Sequence, residues 1–139
     1  MIDYGYEVQD SATFTTSGAG TIASVAKVVD WGAGKLFGEA VFDVTAIEIA
    51  SNNEFYNLLV QGSNVAAFTG TYTTLAALEL GALEVIDSDL DSAVGRYRLP
   101  FCNEMPDGTK YRYGRVYCAV GGSVATGITF SAHIEPPKA

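Results

Sequence analysis

Apolar and polar residues alternate at every second position through much of the chain, which is the pattern of β-strands with one buried face. The clearest case is residues 127–134, where even positions are apolar and odd positions are polar. In residues 95–101, Tyr97, Leu99 and Phe101 point one way and the two intervening arginines point the other. Glycine, asparagine and aspartate interrupt this alternation at short intervals and predict turns.

The alternation and the turns together predict about eight strands. They cover roughly residues 12–16, 22–29, 39–49, 54–62, 75–80, 94–101, 110–120 and 127–134. The fifth segment also fits a short helical turn, because Leu75 and Leu78 are three positions apart. No stretch has the periodicity of a long amphipathic helix. We therefore predict an all-β protein: an antiparallel two-sheet sandwich, jelly-roll-like, with an extended N-terminal arm.

The first residues differ from the remainder of the chain. Residues 1–11 are mostly polar, lack a clear period and contain two tyrosines, Tyr4 and Tyr6. A chain of 139 residues suits one domain and buries enough surface to fold without a metal or a disulfide. We predict an arm over residues 1–11 and a single β-sandwich domain over residues 12–139.

The two cysteines flank a predicted hairpin. The sequence Pro106-Asp107-Gly108 is typical of a tight turn and predicts that the strands on either side of it pair. Mirror pairing about residue 107 places Cys102 opposite about residue 112, several positions from Cys118. We therefore predict two free, partly buried thiols.

Charge argues against a nucleic-acid partner. The formal net charge is −8, and phosphate binding requires clustered cations. The charge is also uneven: residues 1–94 contain 13 acidic residues and 2 lysines, whereas residues 95–139 contain 3 acidic residues and 6 basic ones. Such asymmetry indicates a subunit that meets its own copies or a partner through unlike faces. Without a secretory signal or a long apolar run, we expect synthesis in a cytoplasm and no membrane partner.

Catalytic and metal-binding motifs are weak. The only histidine, His133, lies on the polar face of the last strand and is expected at the surface. Three alternating carboxylates, Asp87, Asp89 and Asp91, would suit a hard cation but lack the spacing of an EF-hand, so three solvated acids are expected. We predict no enzymatic activity, no metal, no cofactor and no small-molecule ligand.

The stretch YRYGRVY, residues 111–117, carries the most distinctive chemistry. On a strand, Tyr111, Tyr113, Arg115 and Tyr117 share one face. Tyrosine and arginine together are typical of hot spots in protein interfaces, and they also stack sugars or bases. The structural alternative is that the tyrosines lie over the core with their hydroxyls at its edge.

An ordered set of short motifs resembles the capsid cement, or decoration, proteins of tailed bacteriophages. The motifs run from about residue 22 to about residue 134 and include Val29-Asp30-Trp31-Gly32, Glu54-Phe55-Tyr56-Asn57-Leu58, Gln61-Gly62-Ser63, Leu80-Gly81, Gly95-Arg96-Tyr97-Arg98-Leu99-Pro100-Phe101-Cys102-Asn103, Tyr111-Arg112-Tyr113-Gly114-Arg115-Val116-Tyr117, Val120-Gly121-Gly122 and Gly127-Ile128-Thr129-Phe130-Ser131-Ala132.

The resemblance implies a jelly-roll protein on the outer surface of an HK97-type shell, made in the cytoplasm of a bacterial host and carried on the virion. Such proteins form homodimers or homotrimers, bridge neighbouring subunits of the major capsid protein and stabilise the expanded shell. The family implies no catalytic residues.

Four residues are the predicted partner contacts: Tyr4 and Tyr6 of the arm, with Tyr113 and Arg115 of the YRYGRVY strand. The tyrosines would fill pockets, and the arginine would pair with carboxylates of the shell or of a sister copy. The alternative function is a carbohydrate-binding β-sandwich module that stacks sugars on Trp31 or on the tyrosines. A small glycosidase ranks third because no motif selects a pair of carboxylates.

Overall fold

Within residues 6–82 and 91–135, which the computed structural model of the chain describes, the backbone forms β-strands and no α-helix. Seven strands are long: β1 Glu7–Phe14, β6 Phe37–Ile47, β7 Phe55–Ser63, β8 Thr73–Gly81, β9 Gly95–Cys102, β10 Tyr113–Gly121 and β11 Ile128–Glu135. Four have two residues each: β2 Gly18–Ala19, β3 Thr21–Ile22, β4 Val25–Ala26 and β5 Val29–Asp30. This part of the chain contains no helix long and apolar enough to cross a membrane.

Two antiparallel sheets make up most of the fold. The first sheet has the strand order β1-β11-β6-β9. The second sheet has the order β2-β10-β7-β8, and β5 pairs with the other end of the same edge of β10. The short strands β3 and β4 form a separate hairpin. The prediction of an all-β protein with antiparallel strands is thus confirmed, and the arrangement is sandwich-like.

Both sheets contribute to one hydrophobic core, which follows from the alternation in the sequence. Phe42 of β6 and Phe130 of β11 come from the first sheet, and Tyr56 of β7 and Val116 of β10 come from the second. All four side chains are fully buried. Burial of such side chains is the main force that holds the two sheets together.

Most predicted strands are present. The segments predicted at 39–49, 54–62, 75–80, 94–101, 110–120 and 127–134 correspond to β6–β11, with ends shifted by at most three residues. Residues 75–80 are therefore a strand and not a helical turn.

The strand predicted over residues 22–29 is wrong. Ala23 and Ser24 have positive φ angles of 51° and 65°, so the chain reverses there and β3 pairs with β4. The turn is held from outside, since the carboxylate of Asp10 accepts a hydrogen bond from the Ala23 N–H at 2.7 Å. Alanine and serine seldom adopt positive φ angles, which is why the sequence pattern did not reveal the break.

The predicted boundary of the arm falls inside strand β1. Residues 7–11 belong to this strand, which pairs with β11 at the edge of the first sheet and starts with Glu7 opposite His133. Strand β1 continues to Phe14, so the strand predicted over residues 12–16 is its second half. Residues 1–5 lie outside the described part of the chain.

The predicted hairpin across residue 107 is also wrong. The turn exists, because the Gly108 N–H donates to the Met105 carbonyl and Glu104 pairs with Lys110. Beyond this single bridge the strands separate, since β9 belongs to the first sheet and β10 to the second. The prediction of free cysteines is confirmed: Cys102 is half-buried and Cys118 is fully buried.

Asn103 is buried between two chain segments that each connect one sheet to the other. Its side-chain oxygen accepts the Leu36 N–H at 2.7 Å, and its side-chain nitrogen donates to the carbonyls of Gly34 and Tyr111 at 2.9 and 3.0 Å. Its backbone N–H and carbonyl bind Leu36 and Tyr111 again. One side chain thus ties the β5–β6 connection to the β9–β10 connection.

Trp31 fills the space between the sheets near this junction. Its ring lies over Gly114 of β10, where an added Cβ would be 2.0 Å from the indole. On its other side the ring centroid is 5.4 Å from that of Phe101 in β9. The close approach to the backbone of β10 requires a residue without a side chain at position 114.

We predict that Gly114→Ala lowers the free energy of unfolding by about 1–3 kcal/mol, because the new methyl group displaces the Trp31 ring from a packed site. The matched control is Gly34→Ala, since a Cβ at that position meets no atom within 4 Å. Urea unfolding of both variants measures the difference. Equal midpoints for the two variants would show that the indole moves aside without cost.

Candidate functional site

Three of the four YRYGRVY residues that were predicted to share one face do so, on the part of strand β10 that faces away from the core. Tyr113, Arg115 and Tyr117 face away from the core, whereas the intervening residues face into it. Tyr111 precedes the strand, and its Cβ lies 2.9 Å from where a Cβ on inward-facing Gly62 would stand. Tyr111 therefore does not share the face of the other three.

Arg115 lies in a cage of aromatic rings. Its guanidinium carbon is 4.4 Å from the centroid of the Phe68 ring, 5.3 Å from that of Tyr72 and 5.4 Å from that of Tyr117. Its Nε donates to the side-chain oxygen of Gln61, the cross-strand neighbour in β7, at 2.8 Å. Stacking and this hydrogen bond together hold the planar group in one orientation.

The rings of Phe68 and Tyr72 come from a covering loop, residues 64–72, that folds back over the outer face of the second sheet. Phe68 is buried although it lies in a loop, and it adopts a positive φ of 54°, which is unusual for a bulky residue. The Ser63 hydroxyl donates to the Thr71 carbonyl at 3.0 Å and so closes the loop. The strained backbone is compensated by ring burial against Arg115.

Arg115 is also the one arginine without a carboxylate partner among residues 6–82 and 91–135. Arg112 binds Asp30 through two hydrogen bonds of 2.9 and 3.0 Å, and the other two arginines bind carboxylates on the first sheet. The Nη groups of Arg115 have no hydrogen-bond acceptor in the described residues. A guanidinium that is held in one orientation and has N–H groups without acceptors can bind an anionic group of a partner.

The two predicted contact groups lie on different sheets. Tyr6 packs against the core and lines an open apolar pocket of about 160 Å³ at the edge of the first sheet. The other lining residues are Leu36, Phe37, Gly38, Ile134 and Glu135. Tyr113 and Arg115, by contrast, lie on the second sheet. Tyr4 lies outside the described residues.

The outer face of the first sheet carries charges that neutralise one another. Arg96 binds Asp43 through two hydrogen bonds of 2.7 and 3.1 Å. Arg98 binds Glu39 at 3.2 Å and also binds Glu135. Unlike Arg115, both arginines that share this face of β9 are paired with carboxylates within the chain.

His133 lies within this network and is buried, which corrects the expectation of a surface histidine. It is on the outer face of β11, but only 7% of it is exposed, and its Nε2 lies 3.1 Å from a carboxylate oxygen of Glu135. The Arg98 guanidinium, and then His133, lower the pKa of Glu135 from 4.5 to about 2. Hydrogen bonds to the ionised carboxylate cause this shift.

The structure places other candidate groups inside the fold. Trp31, the stacking platform considered for sugars, is partly buried between the sheets and packs on Gly114 and Phe101. Burial raises the pKa of Cys118 to about 12, so this thiol stays protonated. Residues 6–82 and 91–135 contain no group of three or more His, Cys, Asp or Glu side chains able to hold a metal. Asp87 and Asp89 lie outside these residues.

Sequence reasoning found the face that carries Arg115 but missed the residues that hold it. Phe68 and Tyr72 fall in the connection between the strands predicted at 54–62 and 75–80, where polar and turn-forming residues are expected. Their presence in so short a segment was the signal that the loop packs on something.

Comparison of the chain with known protein-family models and with curated proteins gives no match.

We predict that Glu135→Gln lowers stability at neutral pH and that this loss disappears in acid. The pKa of Glu135 is lowered on folding, so its contribution is fully present above about pH 4.5 and is lost as the pH falls through about 2. Urea midpoints of both proteins, measured between pH 7 and pH 2, should converge at the acid end. A gap for Glu135→Gln that stays constant with pH would contradict the assignment.

Proposed function

We propose that this protein is a capsid cement protein of a tailed bacteriophage. It binds the outer surface of an HK97-type shell and stabilises the shell by bridging neighbouring subunits of the major capsid protein. It acts as a homo-oligomer on the virion after synthesis in the bacterial cytoplasm. In this role it is a structural protein and not an enzyme.

The fold supports this proposal. The motif resemblance implies a jelly roll, and an all-β, antiparallel, sandwich-like protein belongs to the same class. A jelly roll pairs eight antiparallel strands in two sheets of four. The paths β1-β11-β6-β9 and β2-β10-β7-β8 each contain four strands, and the two-residue β5 adds a fifth strand to the second sheet on the same edge as β2. This arrangement is consistent with the jelly-roll part of the proposal.

The observation that carries the proposal is the fixed tyrosine and arginine row on the outer face of the second sheet. Tyr113, Arg115 and Tyr117 are of the residue types that dominate protein interfaces. Arg115 is already held by its aromatic cage, so little conformational entropy is lost when a partner binds. A preordered surface of this composition fits a protein partner.

Repetition over a shell makes modest contacts sufficient. A homo-oligomer that engages two or more identical shell subunits gains affinity from effective concentration without any additional contact. The net charge of −8 would keep decorated particles apart in solution.

A carbohydrate-binding module remains the alternative proposal, now with a smaller platform. Trp31 already packs on Phe101 and Gly114, so the stacking surface that is left is formed by tyrosines on the outer face of the second sheet and its covering loop, such as Tyr117 and Tyr72. A glycan array distinguishes the two functions, since binding of a sugar above background would favour this alternative.

We predict that the purified protein co-sediments with undecorated capsids. Tyr113→Ala and Arg115→Ala should each weaken this binding by about tenfold or more, because both truncate side chains of the hot-spot type. The matched control is Arg96→Ala, which removes an exposed arginine from the opposite sheet and should change binding by less than about threefold. Wild-type protein that stays in the supernatant would contradict the proposal.

A separate variant tests the arm. Deletion of residues 2–5 removes Tyr4 and leaves strand β1, which begins at Glu7, complete. We predict weaker binding to capsids with an unchanged urea midpoint. Unchanged capsid binding would remove Tyr4 from the interface without affecting the role of the second sheet.

A further inference from the structure

The outer face of the second sheet carries two charges of opposite sign that have no partner among the described residues. Arg115 of β10 has no carboxylate partner among residues 6–82 and 91–135. Glu79 of β8 is exposed on the same face and likewise has no hydrogen-bond or ion-pair partner in that part of the chain. The other arginines are paired within the chain, so this face differs from that of the first sheet.

Arg115 and Glu79 cannot pair with each other in one chain. Arg115 lies opposite Gln61 of β7, and Glu79 lies opposite Asn57 of the same strand, four residues away. With strands about 4.8 Å apart and a rise of about 3.4 Å per residue, their Cα atoms are about 17 Å apart. Each charge is therefore available to a partner.

The midpoint between these two charges is Leu59. It lies on β7, the strand between β10 and β8, and halfway between Gln61 and Asn57. Its neighbours across the sheet are Tyr117 and Ala77. Leu59 is an outward-facing, partly exposed apolar residue, so the face has an apolar centre with opposite charges on its two sides.

This arrangement complements itself. A two-fold axis that lies in the interface and passes by Leu59 brings Arg115 of one copy onto Glu79 of the other, and the same rotation forms the reciprocal pair. Leu59 then meets its own equivalent at the centre. No other protein is needed to satisfy the two charges.

We propose that the outer face of the second sheet binds the same face of a second copy of this chain, through reciprocal Arg115–Glu79 ion pairs around Leu59. This inference rests on the proposed function for its biological role, because it assigns the homo-oligomer contact of the cement protein to this face. Shell binding then involves surfaces at the rim of the dimer, and Arg115→Ala weakens capsid binding by separating the two copies and removing bivalent attachment.

The aromatic cage explains why one arginine can serve this contact. Phe68, Tyr72 and Tyr117 fix the guanidinium, and Gln61 uses only its Nε, so both Nη groups are free to form a two-pronged bond to a carboxylate. A free, flexible arginine would lose more rotamer entropy on pairing. A symmetric contact also doubles the effect of each pair.

Charge exchange between two variants tests the interface. Arg115→Glu places two carboxylates at each contact, and Glu79→Arg places two guanidinium groups there, so each variant alone should raise the dimer Kd by at least about tenfold. An equimolar mixture of the two restores both opposite-charge contacts in a mixed dimer. We expect light scattering to give the mass of a dimer for wild type and for the mixture, and of a monomer for each variant alone at the same concentration.

Arg96→Glu, which reverses an arginine of the other sheet, should remain dimeric. If Arg115→Glu fails to fold, Glu79→Arg decides the question alone, because position 79 is exposed. Wild type that is monomeric, or a folded Glu79→Arg protein that remains a dimer, would overturn the interface.

Sedimentation with undecorated capsids in parallel separates this inference from the proposed function. A protein that follows the charge exchange but does not bind capsids contradicts the cement role and supports the interface. If the protein binds capsids but the charge-reversal variants and their mixture all have the same mass as wild type, only the proposed dimer interface is contradicted.

Discussion

The hydrogen bonds of Asn103 are the constraint on which the arrangement of the two sheets depends. Residues 31–36 connect β5 of the second sheet to β6 of the first, residues 103–112 connect β9 of the first sheet to β10 of the second, and Asn103 binds the backbone of both connections. A buried amide with each of its side-chain bonds directed to backbone specifies one geometry, because any slip leaves polar groups unsatisfied in the interior. The spacing that Trp31 fills and the place where β10 begins both follow from this junction.

The two outer faces use arginine in opposite ways. On the first sheet, Arg96 and Arg98 form ion pairs with carboxylates of β6 and β11, so neither arginine requires a carboxylate from a partner. On the second sheet, Arg115 is fixed by rings and an amide, which orient the group without cancelling its charge. The difference lies in the neighbours of each arginine across the sheet and not in the arginine-tyrosine motifs themselves.

The strands and the outward face of β10 could be predicted from the sequence because alternation is a local property. The features that escaped prediction depend on contacts between distant residues. The Ala23-Ser24 turn needs the carboxylate of Asp10, and the cage around Arg115 needs a loop that folds back to bring Phe68 onto it. The relation between the two unpaired charges of the second sheet required the register of three strands, which no single segment contains.

The position of Trp31 gives the protein an internal optical probe. It is the only tryptophan of the chain, and its ring touches β10 of one sheet and Phe101 of the other. Its indole nitrogen is buried without a hydrogen-bond partner in the described residues, so the most polar atom of the ring is shielded from water. Fluorescence at short wavelength therefore reports that the sheets are in contact, and a red shift reports their separation.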